Sequence, residues 1–185
     1  MGVDPLKPAV FLDRDGVLNR AIVRDGRPYP PASAEEMEIT PGAALALGRL
    51  REAGLLLLVV TNQPDVARGK QTQAAVEAMH EMMATVLPLD DFIVCYHDDR
   101  DDCPCRKPKP GLLHIGAERH QVDLAASFMV GDRWRDVDAG AAAGCRTIWL
   151  DCQYAERGPT RPPDMAVTSL GEAVEWILDC YTTTE

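Results

Sequence analysis

Short apolar runs alternate along this chain with longer stretches whose apolar residues recur every three or four positions. The runs at residues 9–12, 55–60, 92–95, 128–130 and 147–150 are continuous rather than alternating, the pattern of strands covered on both faces. Residues 43–53, 73–87, 111–119, 137–143 and 171–178 carry the helical period. Local chemistry marks several of their ends. Gly54 suits the left-handed position that closes the first helix. Thr72 is placed to cap the second, and Pro88 stops it. Within that second helix Val76, Met79, Met83 and Val86 form one apolar face, which reads as core packing rather than a ligand surface. The tract 157–163, with Pro159, Pro162 and Pro163, reads as a surface loop before the last helix. The alternation predicts one α/β domain over residues 1–185, with a mostly parallel sheet flanked by helices.

In such sheets ligands bind beyond the carboxyl ends of the strands, so the residues that follow each strand are informative. Asp13-Arg14-Asp15-Gly16 follows the first, Thr61-Asn62-Gln63 the second, Cys95-Tyr96-His97 the third and Gly131-Asp132 the fourth. Four of the five strand ends thus carry polar or metal-capable side chains.

Composition then narrows the function. The 185 residues are 46% apolar and 26% charged, with a formal net charge of −10. That is ordinary globular composition and large enough for a real core. The acidic balance argues against a nucleic-acid partner, and an anionic substrate must be drawn in by local cations or metal. The longest apolar stretch, residues 55–60, is far too short to span a membrane. The first residues lack the charged-then-apolar pattern of a secretory signal, so a cytoplasmic protein is expected, with a monomer favoured. Of six cysteines, Cys95, Cys103 and Cys105 fall within eleven residues together with His97. Clustered Cys and His in a cytosolic chain point to metal before disulfides. Cys145 reads as an inert core thiol.

Asp13 and Asp15 are two apart at the end of an extended run, so the pleat directs both to one side. Gly16 allows a tight turn beyond them. Two adjacent carboxylates repel unless a cation or a shared proton relieves them, and a hard cation such as Mg²⁺ prefers oxygen ligands. Asp132 or Asp136 would supply a third carboxylate.

Here a resemblance becomes specific. Phe11-Leu12-Asp13-Arg14-Asp15-Gly16-Val17-Leu18-Asn19 resembles the first motif of the haloacid dehalogenase (HAD) superfamily of phosphotransferases. Val59-Val60-Thr61-Asn62-Gln63 is similar to its second motif, Cys105-Arg106-Lys107-Pro108-Lys109-Pro110-Gly111 to its third, and Val130-Gly131-Asp132-Arg133-Trp134-Arg135-Asp136 to its fourth, all in the family's order. The resemblance implies a Rossmann-like HAD fold and a Mg²⁺-dependent phosphomonoester hydrolase. Asp13 would be the nucleophile that becomes an aspartyl phosphate, and Asp15 the general acid and then base. Asp13, the Asp15 main-chain carbonyl and Asp132 would hold Mg²⁺. Thr61 and Lys107 would bind phosphate oxygens, with Asp136 behind Lys107 or the metal shell and Lys109 as the rival of Lys107. Charge neutralisation and in-line positioning are what phosphoryl transfer demands.

Cys95, His97, Cys103 and Cys105 form a Cys₃His set, the ligand type of a closed structural zinc site, which would clamp the loop presenting Arg106 and Lys107. The alternative is a reduced, metal-free loop. Within the superfamily this Cys-x-His…Cys-x-Cys insertion resembles the D-glycero-D-manno-heptose 1,7-bisphosphate 7-phosphatases and the related histidinol-phosphate phosphatases. The stretch Thr61 to Gly69 favours the heptose branch, which implies a sugar bisphosphate as the small phosphorylated partner. A second phosphate needs a second anion site. Arg106 is the first candidate, followed by Arg68 and Arg133, with Asn62 and Gln63 beside them, because the planar guanidinium matches phosphate oxygens.

The chain departs from that branch at Pro64-Asp65, at Arg133, and in the loop from Arg24 to Pro30. The 49 residues that follow the fourth motif are needed to finish the sheet, so no large cap domain is expected. The pocket is therefore expected to be open and built from the loops 19–33 and 63–69 and the zinc loop. A reading of another class is a catalytically inactive, zinc-stapled binding module. Separately, Trp134 and Tyr29 are candidate partner contacts, with local packing as the simpler fate of single aromatics.

Overall fold

The computed structural model describes residues 6–182. Six parallel strands form the central sheet: β1 (Ala9–Leu12), β4 (Leu56–Asn62), β5 (Asp91–Cys95), β6 (Phe128–Gly131), β7 (Arg146–Leu150) and β8 (Met165–Val167), in the spatial order β5-β4-β1-β6-β7-β8. Strands β2 (Ile22–Arg24) and β3 (Arg27–Tyr29) form a separate antiparallel hairpin between β1 and α1. The helices are α1 (Ala43–Glu52), α2 (Gln73–Val86), α3 (Gly111–His120), α4 (Trp134–Ala143) and α5 (Leu170–Thr182).

Strand β1 pairs with β4 on one side and β6 on the other. The chain therefore leaves β1 in one direction and returns in the other, which opens a crevice at the carboxyl end of β1. Both faces of the strands are buried, and alternate residues serve different layers. Val10, Leu12, Leu57 and Val59 pack with Leu47 of α1, Met79 of α2 and Ile177 of α5. Ala9, Phe11, Leu58 and Val60 pack with Leu112 of α3 and Ala139 of α4. This double cover is why β1, β6 and the body of β4 are apolar throughout. Among the described residues, no helix is long and apolar enough to cross a membrane.

The five expected strands and five expected helices are present, with ends that shift by up to four residues. The hairpin and β8 are additions. The Thr72 hydroxyl accepts from the Ala75 amide at 3.1 Å, and Gly54 has φ +88° after the last turn of α1. Val86 corrects the expected α2 face: it is 50% exposed, while Val76, Met79 and Met83 are fully buried. Cys145 is buried, and burial pushes its thiol up to about 12.

Candidate active site

Three of the strands converge on one buried cluster. Asp13 follows β1, Thr61 lies at the end of β4, and Asp132 and Asp136 sit after β6 and in the first turn of α4. All four are nearly inaccessible, as is Lys107, whose ammonium lies 2.8 Å from Asp13 Oδ1 and 2.6 Å from Asp136 Oδ1. It also donates to the Val60 carbonyl at 2.7 Å. Lys107 is delivered by Asn62, whose side chain accepts from the Lys107 amide at 3.1 Å and donates to the Lys107 carbonyl at 3.0 Å. Lys109 points elsewhere and pairs with Asp102. Two glycines permit the close approach. A Cβ on Gly16, which has φ +87°, would lie 1.8 Å from Asp132 Oδ2, and one on Gly131 would lie 2.0 Å from the Asp136 Cβ.

Electrostatics make this cluster a cation site. The donor oxygens of Asp13, Asp132 and Asp136 lie within 4.8 Å of one another, and the Lys107 ammonium pairs with two of these three carboxylates, Asp13 and Asp136. Burial, then the Asp136 charge, pushes Asp13 up to about 6 despite the opposing pull of Lys107. Burial, then the charges of Asp13 and Asp136, raises Asp132 far above the usual carboxylate range. The Tyr154 hydroxyl faces Asp132, yet neither Asp132 carboxylate oxygen has a well-formed hydrogen bond among the described residues. Buried acceptors without donors are rare and costly. A hard divalent cation suits such oxygens and neutralises the excess negative charge. Asp136, by contrast, spends Oδ1 on Lys107 and Oδ2 on the Arg133 amide at 3.0 Å, which places it behind the cluster.

Asp15 is held differently. Its carboxylate is 18% exposed and accepts from Arg14, from Asn19 Nδ2 at 3.1 Å and from Gln63 Nε2 at 2.9 Å. Gln63 also donates to the Thr61 hydroxyl at 2.9 Å. Gln63 is thus 1% exposed and lies behind the acid, not on the cavity wall.

The Cys/His set converges as well. Cys105 Sγ lies 3.2 Å from Cys95 Sγ, 3.4 Å from Cys103 Sγ and 3.4 Å from His97 Nδ1, and Cys95 lies 3.6 Å from both Cys103 and His97. A tetrahedral zinc–thiolate centre has sulfur–sulfur edges of about 3.8 Å. The donors are therefore arranged to hold a metal ion after a small expansion.

Above the carboxylates opens a cavity of about 640 Å³. Its floor includes Asp13, Asp15, Thr61 and Lys107, and its walls carry Arg68, Arg106 and Arg133. Each of those arginines already has acidic company. Arg68 pairs with Asp65, Asp98 and Asp99, Arg106 with Asp99 at 2.9 Å, and Arg133 with Glu156. Asp99 also faces Arg135 at 3.6 Å, so one carboxylate serves three guanidinium groups.

The expected loops all reach this cavity, joined by Ala155 and Glu156, which no sequence signal marked, and by Arg157 at the start of the expected 157–163 loop. The hairpin tip is tied to it, since the Ala155 amide donates to the Gly26 carbonyl at 2.7 Å. Tyr29 and Trp134 line the wall, and the Arg157 guanidinium lies 3.5 Å from the Trp134 ring centroid. Arg14 and His80 were also overlooked. The signal for His80 was available: it falls on the buried α2 face between Met79 and Met83.

Comparisons with known proteins agree with this geometry. Residues 104–173 match the HAD-hydrolase-like family model. The chain is 39% identical over 184 residues to a D-glycero-β-D-manno-heptose-1,7-bisphosphate 7-phosphatase of Salmonella typhi, covering 93% of this chain and 90% of that one. It is 33% identical to the D-glycero-D-manno-heptose-1,7-bisphosphate 7-phosphatase of Thermosynechococcus vestitus, covering 92% and 95%. Among solved structures, the D,D-heptose 1,7-bisphosphate phosphatase of B. bronchiseptica, complexed with magnesium and phosphate, superimposes with a TM-score of 0.81 at 31% identity, covering 93% of this chain and 98% of that one. A carboxylate–lysine cluster at the switch point, a Cys/His loop beside it and this degree of likeness over nearly the full length establish the relationship: the chain is a HAD-superfamily phosphatase and belongs to the family of the heptose-1,7-bisphosphate 7-phosphatases.

Proposed function

We propose that this protein removes the 7-phosphate of a D-glycero-D-manno-heptose 1,7-bisphosphate, as a single cytoplasmic domain. The observation that carries the reading is the pairing of one buried phosphotransfer centre with a cavity wall rich in arginine, in a chain 39% identical to a phosphatase of that name. Asp13 attacks the phosphorus and forms an aspartyl phosphate. As the P–O bond to the sugar breaks, Asp15 gives its proton to the departing oxygen. Asp15 then takes a proton from the water that attacks the aspartyl phosphate, which frees inorganic phosphate and restores Asp13. Lys107 and the Thr61 hydroxyl hold the non-bridging oxygens of the phosphoryl group. Asn62 and Asp136 fix Lys107, and Gln63 fixes Asp15.

Asp13, the Asp15 main-chain carbonyl and Asp132 would hold Mg²⁺, which when bound neutralises charge on the phosphoryl oxygens. Cys95, His97, Cys103 and Cys105 would hold a structural zinc that leaves no open position and keeps Arg106 and Lys107 in place. Arg106, with Arg68 and Arg133, would receive the second phosphate.

The test is Mg²⁺-dependent phosphate release from both anomers of the heptose bisphosphate, fructose 1,6-bisphosphate, histidinol phosphate and p-nitrophenyl phosphate, with Asp13→Asn as the blank. A large kcat/KM preference for one heptose anomer is expected. A preference for histidinol phosphate would move the chain to that neighbouring activity. Absence of turnover on every substrate would favour a zinc-stapled binding module.

A further inference from the structure

The largest fully buried side chain lies between the two motif aspartates. Arg14 is 0% exposed, and its Nε and Nη2 reach both Asp15 oxygens at 2.9 to 3.2 Å. The remaining nitrogen, Nη1, lies 3.3 Å from His80 Nε2. A guanidinium only donates, so Nε2 must accept and the ring must be neutral with its proton on Nδ1. Burial, then the Arg14 charge, agrees by pulling His80 down to about 4. The ring is itself fixed: it is buried and stacks on Phe92, with centroids 4.5 Å apart and planes 16° from parallel. A rigid wall of α2 and β5 thus backs the guanidinium.

Fold stability alone does not demand this pair. A buried ion pair is often replaceable by apolar side chains at little cost, because desolvation offsets the attraction. What an apolar pair cannot do is set the direction of a carboxylate. The planar fork spans both Asp15 oxygens, Asn19 adds a donor to Oδ1 and Gln63 one to Oδ2, so the direction of a carboxylate that borders the cavity is fixed from behind. We propose that Arg14, braced by His80, is a positioning residue that aims Asp15 at the leaving-group oxygen. The inference rests on the reading of Asp15 as general acid and base.

The experiment compares two substrates that differ in their need for a proton. The leaving group of p-nitrophenyl phosphate departs as a stable anion, whereas a sugar alkoxide must be protonated, so a misaimed acid harms fructose 1,6-bisphosphate selectively. Arg14→Lys keeps charge but loses the fork; it is expected to lower kcat on fructose 1,6-bisphosphate about 100-fold and on p-nitrophenyl phosphate less than about fivefold. His80→Leu, which removes the acceptor, should show the same bias at about 10-fold, and His80→Gln, whose amide oxygen accepts the same N–H, should recover most of that loss. The His80 variants carry the test if Arg14→Lys does not fold, as judged by circular dichroism. Equal losses on both substrates, or a His80→Leu enzyme that behaves like wild type, would overturn the proposal. Asp15→Asn separates the two layers: if it lacks the leaving-group bias, the acid–base reading itself falls.

Discussion

The floor and the rim of the cavity obey different rules. On the floor and just beneath it, Asp13, Thr61, Lys107, Asp132 and Asp136 are almost inaccessible; Asp13, Thr61 and Asp132 come from strand ends that the sheet holds in register, and Lys107 and Asp136 are locked to each other by an ion pair. On the rim, Arg68, Arg106 and Arg133 come from three separate loops and are neutralised by Asp98, Asp99 and Glu156. Burial magnifies electrostatics and fixes geometry, so the floor is committed to one chemistry. The solvated rim exchanges partners at low cost, so it is where substrate choice can change without disturbing the reaction. Pro64, Asp65 and Arg133 all lie on the rim side of that boundary.

The sharpest way to break that comparison is at the floor. Asp13→Asn is expected to abolish phosphate release by about 10³-fold or more on every substrate while the protein stays folded, since it removes the attacking oxygen alone. Phosphate release that persists above about a tenth of wild type would displace Asp13 as nucleophile. The metal loop should be nearly as sensitive, though through stability. Structural zinc in small sites contributes of order 10 kcal/mol at neutral pH. Cys105→Ser is therefore expected to lose zinc by emission spectrometry and to lower the melting temperature by more than about 10 °C. A zinc-free wild type of full stability would remove the metal from the account.

A third test probes the support beneath the floor. The fold prefers neutral His80, whose value falls to about 4, while the unfolded chain binds a proton near 6.5. The unfolded state thus binds more protons between those values, and the stability gained from keeping His80 neutral in the fold is complete above pH 6.5 and is lost as pH falls toward 4. At pH 5 the loss is about 2 kcal/mol. Urea melts at pH 7 and pH 5 should show His80→Gln to be less acid-sensitive than wild type by that margin; identical sensitivity would mean that the ring is protonated in the fold.

The floor was legible in the sequence because its residues follow apolar strand runs at fixed offsets. Asp13 and Thr61 each stand directly beyond such a run, Asp132 stands one residue further after Gly131, and Lys107 lies two residues past the last cysteine of the metal loop. The rim was not, because its pairings join residues far apart in the chain. Nothing near Arg133 names Glu156 as its partner, and nothing near Arg68 names Asp98. The hairpin carried a signal that was passed over: Asp25-Gly26, both with positive φ, is the two-residue turn that joins short strands. The β8 strand, which is three residues long and follows a proline-rich loop, had too little length to announce itself. Arg14 was hidden by its charge, since composition assigns arginine to the surface and only packing reveals it as buried.

The smallest effects belong to the rim, and they test whether it really is separable. Arg106→Ala should lower kcat/KM about 10-fold on the heptose bisphosphate, the size of one charge-assisted phosphate contact, and no more than about threefold on p-nitrophenyl phosphate. Asp99→Asn should act in the opposite direction. Its carboxylate accepts from Arg68 and Arg106 and faces Arg135, so an incoming phosphate must compete with it for the same donors. Asp99 is 55% exposed, which keeps the competition weak. Removing the charge should therefore lower KM for the bisphosphate by about threefold, leave kcat within a factor of about two, and shrink the advantage of low salt. A higher KM in Asp99→Asn would mean that the carboxylate orients the arginines for phosphate instead of occupying them, and that the rim is as preorganised as the floor.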